Sequence, residues 1–359
     1  MKNRKYLVFA LLFTLLNIAV IFVLFGAQKY TDSADYIEVI NWLQGQGWQT
    51  PHYDRLLKPL GLLLAVPFEF MGEGAGLVVQ NTAFYLLSAF LIFKITELIY
   101  RDKKQAMFAA MFFAAATPML EFGLSYLVDI GSWFFYLLSV FLTLLYFQKK
   151  QESLIYLNGF LSGLGLLMKE HGGLGALFFG LMILFSRDFN IKEKILKIAR
   201  FAAFFLIPFL AVQILVFKYF HFTYLDWYLP NRPTAAEPIL LIFLRYLGQL
   251  FRILGILWIF IFIGAWREFR EKNWERIKIF LFLIPASFSF LLWNVGGGGR
   301  AAFIFAPLGI LLATYGCKKI KPFIMVLIIL VILVFNYSFV AVNQKIPFTD
   351  IIYNSIFYK

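Results

Sequence analysis

Residues 6–36 read YLVFALLFTLLNIAVIFVLFG-AQK-YTDSADY, an apolar run followed by a polar loop that carries Asp32 and Asp35. A helix needs about 20 apolar residues to cross the hydrocarbon core of a bilayer, so the run at 6–26 predicts a first membrane span. It is longer than a secretory h-region and no small-x-small cleavage site is obvious. We therefore predict that this span is retained in the mature protein.

The composition extends this interpretation to the rest of the chain. Hydrophobic residues make up 61% of the sequence and charged residues only 15%, with a mean hydropathy of +0.78, whereas a soluble chain carries roughly 25% charged residues. The net charge of +13 does not indicate a nucleic-acid partner, because the basic residues cluster in short runs between apolar segments. The single cysteine, Cys317, excludes an internal disulfide framework and a Cys-rich metal site.

The apolar segments predict an all-α polytopic fold with about eleven transmembrane helices and a cytoplasmic N-terminus. With this count, every predicted inner loop is basic, as the positive-inside rule requires. The predicted spans are 6–26, 75–100, 105–121, 124–147, 154–168, 172–186, 195–217, 239–265, 277–293, 301–316 and 322–342. We predict one membrane domain over residues 1–359, in the cytoplasmic membrane of a prokaryote, without a soluble C-terminal domain.

Residues 27–74 form the first and longest predicted extracytoplasmic loop. The apolar positions of residues 34–43 recur at roughly helical spacing, which predicts a helix along the membrane interface, and residues 59–71 are too short to cross. Asp32 precedes the first turn of the former helix, so it is either an N-cap or a general base at the membrane surface. A cap does not require Asp35 nearby, or Arg55 and Lys58 where the loop returns to the membrane.

Other polar groups are predicted to lie near the same face. Asp129 lies inside the fourth predicted span, where an acid is costly and a functional candidate by default, although a hydrated interfacial carboxylate is the alternative. The turn that contains Lys169, Glu170 and His171 interrupts a long apolar run. It is either a tight polar turn with a lysine that reaches the interface, or a set of catalytic and binding groups.

Three arginines are candidates for binding a phosphate. Arg245 and Arg252 lie seven residues apart inside the eighth predicted span, and hence on one helical face. They either bind a lipid phosphate, since arginine recognises phosphate with two hydrogen bonds, or pair internally with Asp129 or Glu121. Arg300 follows four glycines, residues 296–299, in a predicted outer loop that is not followed by a Walker pattern.

The order of these residues resembles the membrane glycosyltransferases of the GT-C type, in the group of protein O-mannosyltransferases and lipid A aminoarabinose transferases. The shared features are one span, then Asp32 with Tyr36 four residues on, then Lys58-Pro59, and later a Gly-Leu stretch that ends at Lys169. Arg300 begins a segment similar to the late Arg-to-Pro segment of that group. Ser33 replaces the usual acidic neighbour of the aspartate, and Leu60 replaces a second proline.

The resemblance implies a polyprenyl-phosphate sugar donor, an inverting transfer at the extracytoplasmic face, and a lipid, glycan or protein acceptor. Asp32 corresponds to the catalytic aspartate of the family and Asp129 to a second acidic residue. The cations expected to stabilise the departing phosphate are Lys58, Lys169, Arg245, Arg252 and Arg300. Asp35 is a further catalytic candidate, and Tyr36, Arg55, Glu170 and His171 are further site candidates.

Two other classes of membrane protein are weighed against this one. A secondary transporter would place ionisable groups near the midplane and often contain repeats, whereas none is evident here. A surface-polysaccharide polymerase or ligase would be expected to use a large outer loop late in the chain. No cofactor is predicted, and a divalent metal is not favoured because Ser33 removes an adjacent acid and three histidines make a His cluster improbable.

Overall fold

The computed structural model describes residues 4–46, 52–231, 239–287, 300 and 302–345. Over these ranges the secondary structure is helical and no β-strand is formed. The helices are α1 Lys5–Phe25, α2 Ser33–Leu43, α3 Tyr53–Leu56, α4 Leu60–Ala65, α5 Ala75–Tyr100, α6 Lys103–Ala114, α7 Thr117–Phe122, α8 Asp129–Lys149, α9 Ser153–Met168, α10 Gly175–Leu184, α11 Ile191–Phe220, α12 Tyr224–Asn231, α13 Ile239–Leu254, α14 Leu257–Arg270, α15 Trp274–Ser287, α16 Ala306–Gly316 and α17 Pro322–Lys345. Short 3₁₀ helices lie at Val66–Met71, Glu170–Leu174 and Phe303–Phe305.

The helix lengths are those of a polytopic membrane protein. Five of the described helices, α1, α5, α8, α11 and α17, are long and apolar enough to cross a bilayer, and the bent pair of α13 and α14 raises the number to six. Shorter apolar helices occupy several of the other predicted spans. Membrane spanning is thus confirmed, while the count of eleven and the orientation stay predictions.

The predicted span 105–121 is not one helix but α6 and α7, broken at Ala115 and Ala116. In a continuous helix the N–H of residue 118 would bond to the carbonyl of Ala114, and Pro118 has no N–H. The Ala114 carbonyl instead accepts hydrogen bonds from Asn17 and from the Tyr85 hydroxyl. Such partners are what a helix break within a membrane requires, because lipid offers none.

The predicted span 239–265 also differs from expectation, since α13 and α14 meet at an angle of 98°. Gly255 follows the last residue of α13 with φ +46°, a left-handed conformation that favours glycine and ends helices. A sequence window averages hydropathy over this bend, so the pattern alone predicted a single straight segment. The end of the predicted span 277–293 lies outside the described residues.

The core is formed around α5 and α8, which are mostly buried, whereas only a minority of the residues of α1, α11 and α17 are buried, as in lipid-facing helices. Glycine permits close contacts between helices. A Cβ on Gly163 of α9 would lie 2.3 Å from the carbonyl oxygen of Phe205 in α11. Small residues at such contacts let backbones approach and gain van der Waals packing in lipid.

Candidate active site

The first loop is attached to the short segment between α7 and α8. The backbone N–H of Gln28 donates to the Leu124 carbonyl at 3.3 Å, and the N–H of Tyr126 donates to the Gln28 carbonyl at 3.0 Å. Asn81 of α5 donates from Nδ2 to the carbonyls of Ser125 and Leu127, both at 2.7 Å. These bonds bring the start of α2 close to the start of α8, where the two candidate aspartates lie.

Asp32 occupies the N-cap position of α2, as the spacing suggested, but its side chain makes no capping hydrogen bond. Its Oδ2 instead accepts a hydrogen bond from Nη1 of Arg300 at 3.0 Å, and its Oδ1 lies 3.9 Å from Nη2 of Arg55. The side chain retains 34% exposure. Asp32 is therefore an accessible carboxylate beside two guanidinium groups.

Asp129 is the first residue of α8 and its side chain is completely buried. Lys169 Nζ donates to its Oδ1 at 2.7 Å, and Nη1 of Arg300 lies 3.7 Å from its Oδ2. The N-terminus of a helix also favours a negative charge. Arg300 thus connects the two aspartates, which are the accessible and the buried acid of one site.

Lys169 reaches Asp129 because the chain reverses tightly after α9. Lys169 itself is extended, with φ −169° and ψ 157°, between α9 and the 3₁₀ helix that follows. A Cβ on Gly172 would lie 2.2 Å from the Gly165 carbonyl oxygen, so a side chain there would separate the two arms of the turn. Sterics at this close contact therefore explain why glycine occupies position 165, within the stretch that carried the family resemblance.

Arg55 joins the site from the returning part of the first loop. Its Nη2 lies 2.7 Å from Oδ2 of Asp35, and its guanidinium lies 4.7 Å from the centre of the Tyr36 ring. Burial would lower the pKa of Arg55, but Tyr36 and the carboxylates of Asp35, Asp54 and Asp32 raise it above the ordinary value. The guanidinium therefore remains charged.

Lys58 and Glu170 form a second ion pair, with side chains only 12% and 14% exposed. The Trp227 ring of α12 lies 4.1 Å from Lys58 Nζ, and the hydroxyl of Tyr224 is hydrogen-bonded to Glu170 at 3.3 Å. The sequence indicated no mechanism for residues 221–238. The contacts that Tyr224 and Trp227 make with this ion pair could not be predicted from the sequence. His171 is partly buried in the same turn.

Arg252 lies elsewhere, in an ion pair with Glu121 at 2.6 Å, which is one of the internal pairings weighed against phosphate binding. The hydroxyl of Tyr30 donates to the Glu121 backbone carbonyl at 3.0 Å, so this pair borders the first loop. Arg245 lies two turns earlier on α13. The glycines at 296–299 fall outside the described residues.

We define the Asp32 cluster as eight side chains that these contacts bring together: Asp32, Asp35, Arg55, Lys58, Asp129, Lys169, Glu170 and Arg300. It contains four carboxylates and four cations, and Asp54 adds a fifth carboxylate at its edge, 3.5 Å from Nε of Arg55. Across the part of the chain that the structure describes, no group of three or more His, Cys, Asp or Glu residues is arranged to hold a metal ion.

Comparison with known proteins identifies a matching family model and a solved structure of similar fold. Residues 63–214 match the family model of the dolichyl-phosphate-mannose-protein mannosyltransferases. The fold is similar to that of the Archaeoglobus fulgidus oligosaccharyltransferase, crystallised as a complex with Zn and sulfate, with a TM-score of 0.55 and 16% identity. That alignment covers 91% of this chain and 51% of the archaeal enzyme, so the chain spans about half its length.

No curated protein sequence matches the chain significantly. The two matches confirm the resemblance to GT-C membrane glycosyltransferases that the order of motifs had indicated. The matched family segment contains Asp129, Lys169 and Glu170, whereas Asp32 and Arg300 lie outside it. Their assignment to a common site rests on the ion pair between them.

Proposed function

We propose that this protein is an inverting glycosyltransferase that moves a sugar from a polyprenyl-phosphate donor to an acceptor at the extracytoplasmic face of a prokaryotic cytoplasmic membrane. The observation that carries the proposal is the position of Arg300 between Asp32 and Asp129. It joins an accessible acid to a buried one, beside further cations suited to a phosphate. The family match over residues 63–214 supports a lipid-phosphate sugar as the donor class.

Asp32 is the better candidate for the general base. Its side chain is 34% exposed, whereas that of Asp129 has no exposure and is held by Lys169 at 2.7 Å. A base must reach the proton that it removes, so the accessible acid suits that role. Asp129 then acts on Lys169 and Arg300 by fixing their positions.

The ion pairs of the Asp32 cluster suggest how the donor prepares the base. Each of its four cations already faces a carboxylate, so the phosphodiester group of an incoming donor must compete for one of them. Arg300 is suited to this exchange, because a guanidinium binds phosphate with two hydrogen bonds. In our proposal the donor phosphate takes over Arg300, which releases Asp32 from that ion pair and leaves it free to accept a proton.

The chemical step then follows from these positions. The acceptor hydroxyl or amine gives its proton to Asp32 as its oxygen or nitrogen attacks the anomeric carbon. The bond from that carbon to the phosphate oxygen breaks, and the lipid phosphate leaves with the electron pair. Lys58, Lys169 and Arg300 offset the charge that develops on the leaving phosphate. A phosphate monoester is a good leaving group, so the proposal needs no strong general acid.

The test is the substitution Asp32→Asn, with sugar transfer followed as release of polyprenyl phosphate from polyprenyl-phosphate mannose in membranes. Removal of a general base should lower the rate by roughly 10²- to 10⁴-fold while the protein still inserts in the membrane. Asp188→Asn is the control, because that exposed acid pairs with Lys150 at a distant surface. Full activity in Asp32→Asn would contradict the assignment, and no release by the unmodified protein would show that mannose is not the sugar transferred.

We also propose that the reaction needs no divalent metal, since Asp32, Asp35 and Asp129 each already face a basic side chain. Treatment with EDTA should leave the rate of polyprenyl phosphate release unchanged. A loss that returns with added Mg²⁺ or Mn²⁺ would show that a metal takes part.

A further inference from the structure

A cleft of about 450 Å³, with charged and apolar lining residues, lies between α5 and α8. Both helices begin beside the Asp32 cluster, since Asn81 binds the segment before α8 and Asp129 is the first residue of α8. The cleft lies at their other ends. It is lined by Lys94, Glu97 and Arg101 on one side and by Phe141, Leu145 and Gln148 on the other.

The charged side of the cleft has an excess of positive charge. The Glu97 carboxylate is shared between two ammonium groups, with Lys94 Nζ at 2.9 Å and Lys103 Nζ at 3.3 Å. Arg101 is exposed and forms no ion pair with any residue that the structure describes. Glu97 therefore faces two ammonium groups, and the four charged side chains Lys94, Glu97, Arg101 and Lys103 together comprise three cations and one carboxylate.

Lys94 lies deep for a charged side chain, and the carboxylate that partners it, that of Glu97, is shared with Lys103. It lies six residues before the end of α5 at Tyr100, which places its Cα about 9 Å inside the helix end at 1.5 Å per residue. An ionisable side chain at such a depth is expensive in a bilayer and marks a functional candidate. Leu145 and Phe141 continue the same cleft as an apolar wall toward the membrane centre.

We propose that this cleft binds the phosphate of an anionic phospholipid from the surrounding leaflet. The phosphate would lie between Lys94 and Arg101, and an acyl chain would follow the apolar wall formed by Phe141 and Leu145. Basic pockets between transmembrane helices are suited to anionic head groups. A volume of about 450 Å³ falls within the size range of small-molecule sites. The proposal does not depend on the sugar-transfer reaction, because the cleft and the Asp32 cluster share no residue.

The experiment measures lipid retention by the full chain in detergent, using native mass spectrometry after addition of phosphatidylglycerol or phosphatidylcholine. The variant is Lys94→Gln with Arg101→Gln, and the control is Lys192→Gln, which removes an exposed cation near the start of α11. At about fivefold per basic residue, the double variant should bind phosphatidylglycerol roughly 25-fold more weakly. The control should bind it as the unmodified protein does.

Three results would overturn the proposal. Equal retention of the two lipids by the unmodified protein would show that the head-group charge is not recognised. Unchanged phosphatidylglycerol binding by the double variant would place the lipid elsewhere. Complete displacement of phosphatidylglycerol by millimolar inorganic phosphate would indicate a site for free phosphate. Preferential phosphatidylglycerol binding that resists phosphate and falls in the double variant would support it.

Discussion

Replacing Lys169 with methionine should destabilise the protein by about 3 kcal/mol, because it leaves the buried Asp129 carboxylate without its nearest cation. Breaking a buried ion pair by removing one partner typically costs about 3–5 kcal/mol. Asp129 has no exposed side-chain area, so water cannot replace the lysine. The reverse change, Asp129→Asn, should destabilise the protein less. Lys169 is 18% exposed, so water can partly solvate its ammonium group when the carboxylate is absent.

The estimate lies at the lower end of that range because Arg300 remains. Its Nη1 is 3.7 Å from the Asp129 carboxylate, against 2.7 Å for Lys169 Nζ. Coulomb energy varies inversely with distance, so the ratio 2.7/3.7 leaves Arg300 with about three quarters of the attraction that Lys169 provides. Adding Arg300→Met to Lys169→Met should therefore cost more than the sum of the two single changes.

The assay is unfolding in mixed micelles as SDS is added, followed by tryptophan fluorescence. Lys150→Met is the matched control, because its pair with Asp188 is exposed on both sides and should contribute no more than about 1 kcal/mol. Equal destabilisation by Lys169→Met and Lys150→Met would refute the argument from burial. Strict additivity of the Lys169 and Arg300 changes would refute the claim that they share Asp129.

Two further changes test the supports of the site. Asn81→Leu should reduce sugar transfer and destabilise the protein by about 1–3 kcal/mol for each carbonyl left unsatisfied. The reason is that the Asn81 amide binds two backbone carbonyls ahead of Asp129. Normal transfer and stability would show that Asn81 does not support the site. Gly163→Ala should cost about 1–3 kcal/mol in the same unfolding assay, because its Cβ would meet α11. Gly180→Ala, with open space around its Cβ, should be close to neutral, and equal effects at the two glycines would contradict the packing argument.

The first loop shows how much of the site could be predicted from sequence. The helix predicted over residues 34–43 is present as α2, and Asp32 does stand at its N-terminus. These are local properties, since apolar spacing and the position of a polar residue within a few turns decide them. The choice between a cap and a functional carboxylate was not local, because it depended on Arg300, which lies 268 residues away.

Broken helices show the opposite case. The hydropathy of residues 105–121 is that of a span. Pro118 weakens the helix locally, but the break at Ala115 is tolerated because Asn17, Tyr85 and Asn336 of other helices satisfy the freed carbonyls. Nothing within the segment reports that these partners exist. The pairing of Arg252 with Glu121 was likewise one of several alternatives until α7 and α13 were seen to lie together.

The sequence by itself determined that this is a membrane protein, and it identified Asp129, inside an apolar segment, and Lys169, in a turn that interrupts one, as groups that need an explanation. It could do so because the cost of a charge in an apolar segment depends on the segment alone. Only the tertiary structure decided which acid is buried, which is accessible, and that Arg300 faces both. Ion pairing depends on distances of a few ångströms between helices distant in sequence, and helix packing fixes those distances.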